Sequence, residues 1–427
     1  MRQNKIDYKL ALIFAIYLNP IGFRFSPMAC YAFLYGAALL YMLLNYQLLK
    51  VFYLKMDSKC AALLLMCFVL FFCAAAVPIL HGTDDFHYIP FGILIFRKLF
   101  LCSFLMLLTI KRHRENGGAS LFMLYYALGT CCYVLCSVLF LLLPALKQIW
   151  LDMITPMNSG LLLSFGYVAR FGWSGFSGFR NTADCTLSII FVCHYYHHNK
   201  KELSFSRYLV ILLLCLLGNM FYGRTGLLAS AFCLIIALPA YHQISVRQMT
   251  MIMLAAIFVV GAITVLRTTS DKINELYIWA ITPFKNLLMT GSFHNASADT
   301  LLHKMTFRTT VKTFLIGDGW ITDPNTGAYY MKTDSGIMRL LLFGGVGMSA
   351  LAYLTTLGAI ARSQRGSFIY KLMMVAAFIL FEIKGDYYYE IIPIMLAIAI
   401  AECNIERRKI IDKKMIIVRP VHRRVAL

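Results

Sequence analysis

The residues best suited to chemistry in this sequence are arginines near the ends of apolar runs. They include Arg170, Arg180, Arg224, Arg267, Arg308 and Arg339. Membrane proteins concentrate Lys and Arg in cytoplasmic loops, whereas these six fall in predicted spans or on the opposite side. Guanidinium groups form bidentate, charge-assisted hydrogen bonds with phosphate. Their placement therefore predicts an anionic ligand at the outer face of a membrane.

The sequence FYGRTG, residues 221–226, separates two apolar runs and predicts a tight outer turn. Gly223 and Gly226 allow the backbone to approach a ligand closely. Thr225 is predicted to cap the next helix, whose N-terminus would favour phosphate beside Arg224. The alternative is that Arg224 only extends to lipid headgroups.

Arg170 and Arg180 flank a run rich in Gly, Ser and aromatic residues. The aromatic residues are Phe171, Trp173, Phe176 and Phe179. Aromatic faces stack on sugar rings, so the run is a candidate glycan-binding segment. An interfacial aromatic belt is the alternative.

A third segment, residues 317–347, places Asp334 directly before a long apolar helix. Asp334 is interpreted either as a helix N-cap or as the general base for a sugar hydroxyl. Arg339 lies about one and a half turns further on. A buried arginine there needs a partner, which we predict to be Asp334 or a ligand phosphate.

Other charged residues offer alternatives for the base. Glu382, Lys384, Asp386 and Glu390 cluster at the last outer turn, where they either pair internally or supply a carboxylate base. His294 is a further candidate base, and Arg308 a candidate phosphate ligand. Arg97 and Lys98 fall about two turns into a span and are not expected to face lipid.

The composition predicts the elements that position these residues. The chain of 427 residues is 60% hydrophobic and 14% charged, with mean hydropathy +0.70. These values exclude an ordinary soluble domain and predict an all-α polytopic membrane protein. We predict about twelve spans, at residues 9–23, 28–49, 60–80, 91–110, 120–143, 183–197, 208–222, 226–241, 250–266, 336–360, 371–384 and 387–402.

The charge distribution predicts an orientation. With both termini cytoplasmic, 24 of the 40 Lys and Arg residues, sixteen in the N-terminal segment and the inner loops and eight in the tail, share the inner side. The chain is treated as a single membrane domain, 1–427, with outer segments at 144–182 and 267–335 and a basic tail at 404–427. The first span is expected to be an uncleaved anchor. The thirteen cysteines show no metal-binding spacing and are interpreted as packing residues, so no cofactor or metal is expected.

Three places in the chain resemble bacterial O-antigen polymerases of the Wzy type. The first runs from Arg170 through Gly178 and Phe179 to Asn181, and the second is GRTG at 223–226. The third comprises GDG at 317–319, DSG-x-x-R at 334–339 and GG-x-G at 344–347. The span number and the large late periplasmic loop also fit.

The resemblance implies a lipid-dependent glycosyltransferase of GT-C-like architecture in the bacterial inner membrane. Such proteins join oligosaccharide units carried on undecaprenyl pyrophosphate at the periplasmic face, without metal. It implies Asp334, Arg224 and Arg339 as catalytic residues. It assigns Arg170, Arg180, Asn181, Arg308 and Glu382 to pyrophosphate or sugar.

Implied partners are lipid-linked oligosaccharides as donor and acceptor, a chain-length regulator, a flippase and membrane lipids, but not nucleic acid. Related O-antigen ligases carry a histidine where this chain has Asp334, which favours polymerase. Ligase and lipid-linked oligosaccharide flippase or transporter remain the alternatives. Transporters tend to show paired repeats and broken helices, which we do not see in the sequence.

Overall fold

A computed structural model describes residues 6–54, 56–113, 118–154, 170–241, 305–364 and 366–418, together with isolated positions between 248 and 289. For residues 239–241 and those beyond 403, it describes the backbone but not the side chains. The chain is almost entirely helical across these ranges. The helices are α1 Tyr8–Leu18, α2 Pro27–Leu44, α3 Tyr46–Leu54, α4 Ser58–His81, α5 Ile89–Arg112, α6 Gly118–Leu142, α7 Pro144–Met153, α8 Phe179–His198, α9 Phe205–Tyr222, α10 Arg224–Tyr241, α11 Val311–Ile316, α12 Gly336–Arg362, α13 Phe368–Lys384 and α14 Tyr388–Val418. Two 3-10 turns, Phe86–Tyr88 and Tyr330–Lys332, and a small antiparallel hairpin, β1 Phe171–Gly172 with β2 Gly175–Phe176, complete the described elements.

Local chemistry explains where several helices begin and end. The Asp7 carboxylate accepts the N–H groups of Lys9 and Leu10 and caps α1. Asp57 caps α4 in the same way through the N–H of Cys60 at 2.9 Å. Helix α4 ends at Gly82, whose φ of 62° is a conformation that glycine adopts without strain.

Six described helices are long and apolar enough to cross a membrane: Pro27–Leu44, Ser58–His81, the segment Phe86–Arg112, Gly118–Leu142, Phe205–Tyr222 and Gly336–Arg362. Two shorter apolar helices are Tyr8–Leu18 and Arg224–Leu238. The prediction of an all-α membrane protein is therefore confirmed in its coarse form. The number of twelve spans stays a prediction, and the predicted span 250–266 lies mostly outside the described residues.

Two predicted spans differ from the helices observed. The first was predicted to reach residue 23, but α1 ends at Leu18 after 11 residues, about 16 Å, which is half of a bilayer core. The second was predicted as one element through residue 49, but α2 ends at Leu44, and a separate helix, α3, follows. Average hydropathy does not register these breaks because only a few residues interrupt the apolar runs: Asn19 and Pro20 after α1, and Asn45 after α2.

The helices divide into central and peripheral ones. Helix α8 is buried almost throughout, from Asn181 to Tyr196, and packs on α6, α9, α10 and α13. Helix α14 is buried from Glu390 to Ala401. Only 11% of α2 and 28% of the best apolar window of α4 are buried, so both helices present long apolar surfaces outward. Such surfaces are suited to lipid.

The helices alternate between two ends of the bundle. One end, called here the Asp386 end, joins the turns after α1, α4, α6, α9 and α13 and the segments before α8 and α12. The other, the Asp7 end, joins the turns after α2, α3, α5, α8 and α12: Arg112 pairs with Asp7 at 2.9 Å, and Lys111 bonds Asn45 at 2.5 Å. His194 also contacts Gln364 there at 3.1 Å.

Candidate functional site

The first turn of α8 carries Arg180 and Asn181, both predicted from sequence as ligand-binding residues. Arg180 Nη2 donates to the carbonyl of Leu18 at 2.7 Å, at the point where the short α1 ends. Asn181 Nδ2 donates to the side chain of Asn19 at 3.0 Å. The Arg180 side chain is 37% exposed, so it retains access to a ligand, whereas Asn181 is buried in a structural contact.

Arg180 also belongs to a buried ionic cluster that sequence analysis found only in part. Its Nε lies 3.9 Å from the Asp184 carboxylate and 3.8 Å from that of Glu390. Glu390 forms an ion pair with Lys98 of α5, and Asp184 accepts a 2.5 Å hydrogen bond from Tyr126. The prediction that Lys98 avoids lipid is consistent with this pairing. Arg97, in contrast, is exposed on the surface of the bundle.

Arg224 begins α10, directly after Gly223. The expected tight turn is present, but the helix already starts at Arg224, so Thr225 lies inside the first turn and the prediction that it caps the helix is wrong. Thr182 of α8 donates to the Gly223 carbonyl at 3.0 Å. A Cβ at Gly226 would overlap the side chains of Thr182 and Asn219, so glycine is required there for packing.

Arg170 approaches the same region from the hairpin side. The Arg170 carbonyl accepts the N–H of Ser177 at 2.9 Å, which closes the hairpin β1–β2. Its charge acts on that of Arg224, and both side chains are partly exposed. Two guanidinium groups in the region of a helix N-terminus suit a ligand with more than one negative charge.

The aromatic residues between Arg170 and Arg180 are used for packing. Phe171 is buried against Phe140, with ring centroids 5.1 Å apart. Trp173 donates from Nε1 to the carbonyl of Asn19 at 2.8 Å, and Phe179 packs edge-on against Phe381. These contacts anchor the hairpin and the start of α8 to the bundle. The glycan-stacking role predicted for these rings is not tested by them.

The start of α12 carries Asp334 and Arg339. Arg339 Nη1 lies 3.1 Å from Asp386, and its guanidinium lies 4.0 Å from the ring centre of Tyr329. The acidic partner of Arg339 is therefore Asp386 and not the predicted Asp334, while its contact with a ligand phosphate stays a prediction. The carboxylate of Asp386 fills that position because the α13–α14 turn packs on α12.

Asp334 is the more accessible acid of this group. Its side chain is 43% exposed and lies 3.7 Å from Lys384 Nζ. The helix after it starts at Gly336, with Ser335 in the cap position, so Asp334 is not the N-cap. Its carboxylate is accordingly available at the surface of the Asp386 end.

Glu382 and Asp386 are both buried. Glu382 Oε2 accepts the N–H groups of Tyr387 at 2.8 Å and Tyr388 at 3.2 Å, and thereby stabilises the start of α14. Burial raises the pKa of Asp386 to about 6, against the opposing effects of Arg339 and a hydrogen bond from Tyr88. Both acids thus have structural partners, and a substrate role for Glu382 stays a prediction.

The segment after α11 docks onto the turn after α4. Asp85 accepts the N–H groups of Ile321 at 2.8 Å and Thr322 at 2.7 Å. Burial alone would raise the pKa of Asp85, but these N–H groups and the His87 ring outweigh burial and hold the pKa below its ordinary value. Thr83 adds a 2.8 Å bond to the Gly319 carbonyl. The start of the segment that leads to Asp334 is therefore fixed to the turn after α4.

The structure joins the predicted residues into one region at the Asp386 end. A Cβ at Gly385 would touch Phe179, next to Arg180, and a Cβ at Gly336 would overlap the Gly385 carbonyl. The close approach of α8, the α13–α14 turn and α12 therefore links the arginines of 170–224 with Asp334 and Arg339. Arg308 has an exposed side chain in the stretch before α11, while His294 and Arg267 lie outside the described residues.

Sequence analysis missed Asp184, Tyr126, Tyr88 and Asp85 as parts of this region. An acid four residues after Arg180 in an apolar helix was the available signal for Asp184, since such pairs face each other on one side of a helix. The two tyrosines and Asp85 carry no comparable signal.

Among the described residues, the side chains that could hold a metal lie elsewhere. Asp57, Cys60 and Cys403 place ligand atoms within 4.8 Å of one another at the Asp7 end. Asp57 already pairs with Arg362 and caps α4, so these contacts account for the carboxylate without a metal.

Comparison with known proteins identifies no relative: no protein-family model, curated protein or solved structure matches this chain.

Proposed function

We propose that this protein is a lipid-dependent glycosyltransferase that polymerises undecaprenyl-pyrophosphate-linked oligosaccharide units, as an O-antigen polymerase does, at the outer face of the bacterial inner membrane. The observation that carries the proposal is the shared position of Arg170, Arg180, Arg224 and Arg339 with Asp334 at the Asp386 end. A site with several guanidinium groups and an accessible carboxylate suits a reaction with a diphosphate leaving group and a hydroxyl nucleophile.

The orientation follows from charge. Lys111, Arg112 and Arg362 lie at the Asp7 end, as do Lys200 and Lys201 in the turn after α8. The positive-inside rule assigns such an end to the cytoplasm, which leaves the Asp386 end facing the periplasm. A lipid-linked oligosaccharide exposed at that face is therefore within reach of the proposed site.

Arg224 and Arg170 are proposed to hold the diphosphate of the donor. The N-terminus of α10 adds backbone N–H groups and a favourable dipole to the two side chains. When the bond between C1 and the diphosphate oxygen breaks, its electron pair remains on that oxygen. Fixed guanidinium groups stabilise the charge that develops there.

Asp334 is proposed as the general base because its side chain is 43% exposed, whereas the neighbouring acids are buried with structural partners. Asp386 pairs with Arg339, Glu382 holds the start of α14, and Glu390 pairs with Lys98. Asp334 takes the proton of the acceptor hydroxyl while that oxygen forms a bond to C1 of the donor. A single displacement of this kind inverts the configuration at C1.

Reconstitution of the purified protein tests the proposal. Liposomes containing lipid-linked oligosaccharide units, without ATP or an ion gradient, should form a ladder of polymer sizes on a gel. Arg224→Ala should abolish the ladder, while Arg207→Ala, an exposed arginine on α9 near the Asp7 end, should retain it. No ladder from the folded wild-type protein would overturn the proposed function.

A transporter of lipid-linked oligosaccharides is the second candidate, and the buried ionic cluster favours it. Lys98, Glu390, Asp184 and Arg180 are ionisable groups inside the bundle, and such groups mark ion or substrate paths in many membrane proteins. The same liposomes distinguish the two, since a transporter moves labelled lipid across the bilayer and forms no glycosidic bond. A ligase would transfer the glycan only to a lipid A core acceptor.

A further inference from the structure

Arg97 is an exposed arginine within a predicted membrane span. It lies eight residues after the start of α5, about 12 Å along the helix axis. A charge near the middle of a span costs roughly 2.5–3.5 kcal/mol on insertion scales, so it requires a partner or a polar path. Side chains on a helix lean toward its N-terminus, and here that direction leads to the Asp386 end.

Residues from two other helices meet Arg97 at this depth. Tyr35 lies eight residues into α2, and its ring packs against Phe100 of α5 with centroids 6.3 Å apart. Phe100 follows Arg97 by three residues and therefore shares its helix face. Both Arg97 and Arg180 lie close enough to the Tyr35 hydroxyl for their charges to act on it.

The short α1 explains how Arg180 reaches this level. Since α1 ends at Leu18, α8 begins deep in the bundle, and Arg180 approaches the same Glu390 oxygen as Lys98, about 13 Å along α5. The buried Arg180 Nε has no hydrogen-bond partner among the described residues. This Nε lies between the carboxylates of Asp184 and Glu390, and the charge of the Arg180 side chain, which is 37% exposed, also acts on Tyr35 of α2.

The charges at this point favour an anion. By formal charge, Arg97, Lys98 and Arg180 contribute three positive charges and Asp184 and Glu390 two negative charges, which leaves one positive charge in excess. Lys98 pairs with Glu390, and Arg180 lies near the carboxylates of both Asp184 and Glu390. Arg97 and the outer part of Arg180 are left to face a ligand from the lipid side.

An apolar surface continues from this point toward the bilayer centre. Leu39 and Leu43 follow Tyr35 at intervals of four residues along α2, and they are 49% and 58% exposed. Residues at this spacing form one row on a helix surface. An isoprenoid chain can lie along the row while its charged head remains beside Arg97 and Tyr35.

We propose that Arg97, Tyr35 and Arg180 form a lipid-facing access site between α2 and α5 that takes the diphosphate of a polyprenyl-linked substrate from the outer leaflet. The inference rests on the proposed function and adds the route by which that substrate reaches Arg170 and Arg224. An ordinary phospholipid headgroup carries a single phosphate and has less charge to place against two guanidinium groups. The diphosphate is therefore the better match.

Binding of a fluorescent short-chain polyprenyl diphosphate to the protein in phosphatidylcholine nanodiscs tests the site. Arg97→Ala should weaken binding about tenfold, the loss expected for one charge-assisted contact, and Arg97→Lys should recover part of it. Arg207→Ala is the matched control and should bind as wild type does. Thermal unfolding of each variant in detergent identifies any variant that misfolds. Tyr35→Phe is a second variant that removes only a hydroxyl group, and we expect it to lose less affinity than Arg97→Ala.

Two competitors distinguish the sources of phosphate. Excess polyprenyl diphosphate should displace the probe, whereas phosphatidylglycerol or inorganic pyrophosphate at the same concentration should not. Wild-type affinity in folded Arg97→Ala and Tyr35→Phe, or equal displacement by phosphatidylglycerol, would overturn the access site. Probe binding that depends on Arg97 without any polymer formation would leave the access site intact and overturn only the proposed polymerase activity.

Discussion

Arg339 and Asp386 form a buried ion pair, Nη1 to Oδ2 at 3.1 Å, that fastens the first turns of α12 to the turn between α13 and α14. The pair lies beside Asp334 in sequence and beside Gly385, which touches the start of α8. This contact between distant parts of the chain helps to fix α12, and with it the candidate base, against the turn that packs on α8.

Loss of one partner of this pair should be costly. Asp386→Ala leaves the guanidinium of Arg339 buried without its counter-charge, and we expect destabilisation of about 3–5 kcal/mol. The double variant Arg339→Met/Asp386→Leu removes both charges and should recover much of that loss. Thermal unfolding in detergent measures both; equal destabilisation in the single and double variants would contradict the role of the pair.

Asp334→Asn should abolish polymer formation without loss of folding. The amide cannot accept the proton of the acceptor hydroxyl, and loss of a general base lowers rates by about 10²–10⁴-fold. Asp152→Asn is the matched control, because Asp152 is an exposed acid on α7 at the same end. Polymer yield per folded molecule is the measurement. If Asp334→Asn retained activity, Asp334 would not be the general base, and another residue would have to fill that role.

The contact between Asp85 and residues 321–322 should weaken in acid. The pKa of Asp85 in the folded protein lies below its unfolded value of 3.8, so its stabilising effect is complete above that value and is lost as the pH falls through the folded pKa. Hydrogen exchange at Ile321 and Thr322, corrected for intrinsic rates, should be slow near pH 6 and accelerate below about pH 4. In Asp85→Asn the acid-induced acceleration of exchange should disappear, and exchange should already be faster than in the wild type near pH 6. If Asp85→Asn showed the same pH dependence as the wild type, the acceleration would arise from a group other than Asp85.

Glu382→Gln should act on stability more than on turnover. The substitution replaces a carboxyl acceptor of two N–H groups with an amide, and we expect a loss of about 1–2 kcal/mol. Polymer formation per folded molecule should stay within a few fold of wild type. A large fall in turnover with unchanged thermal stability would instead support the substrate-binding role predicted from sequence.

Gly226→Ala should impair the packing of α10 on α8. A methyl group there would overlap Thr182 and Asn219 inside the bundle, and overpacking of this kind costs about 1–3 kcal/mol. Gly36→Ala on α2 is the control, since a Cβ at Gly36 meets nothing within 4 Å and alanine favours the helix. Yield and thermal unfolding compare the two; equal behaviour would show that the Gly226 packing is tolerant.

Much of the helical framework could be predicted from the sequence. Long apolar runs such as 60–80 and 120–143 correspond closely to α4 and α6, because the length and hydropathy of a span are properties of contiguous residues. The early end of α1 and the break between α2 and α3 could not be predicted in this way. Both coincide with short local signals, Asn19–Pro20 after α1 and Asn45 after α2, which hydropathy averaged over a span does not detect.

The sequence alone determined that the chain is an apolar helical protein with two sorts of positive charge, one gathered in short loops and one near the ends of particular runs. Residue type and spacing along the chain carry that information. Only the tertiary structure decided the partners: Asp386 for Arg339, Glu390 for Lys98, and Tyr35 beside Arg97. These residues are distant in sequence, and a buried charge is stabilised by whichever opposite charge the folding of the helices brings within a few ångströms.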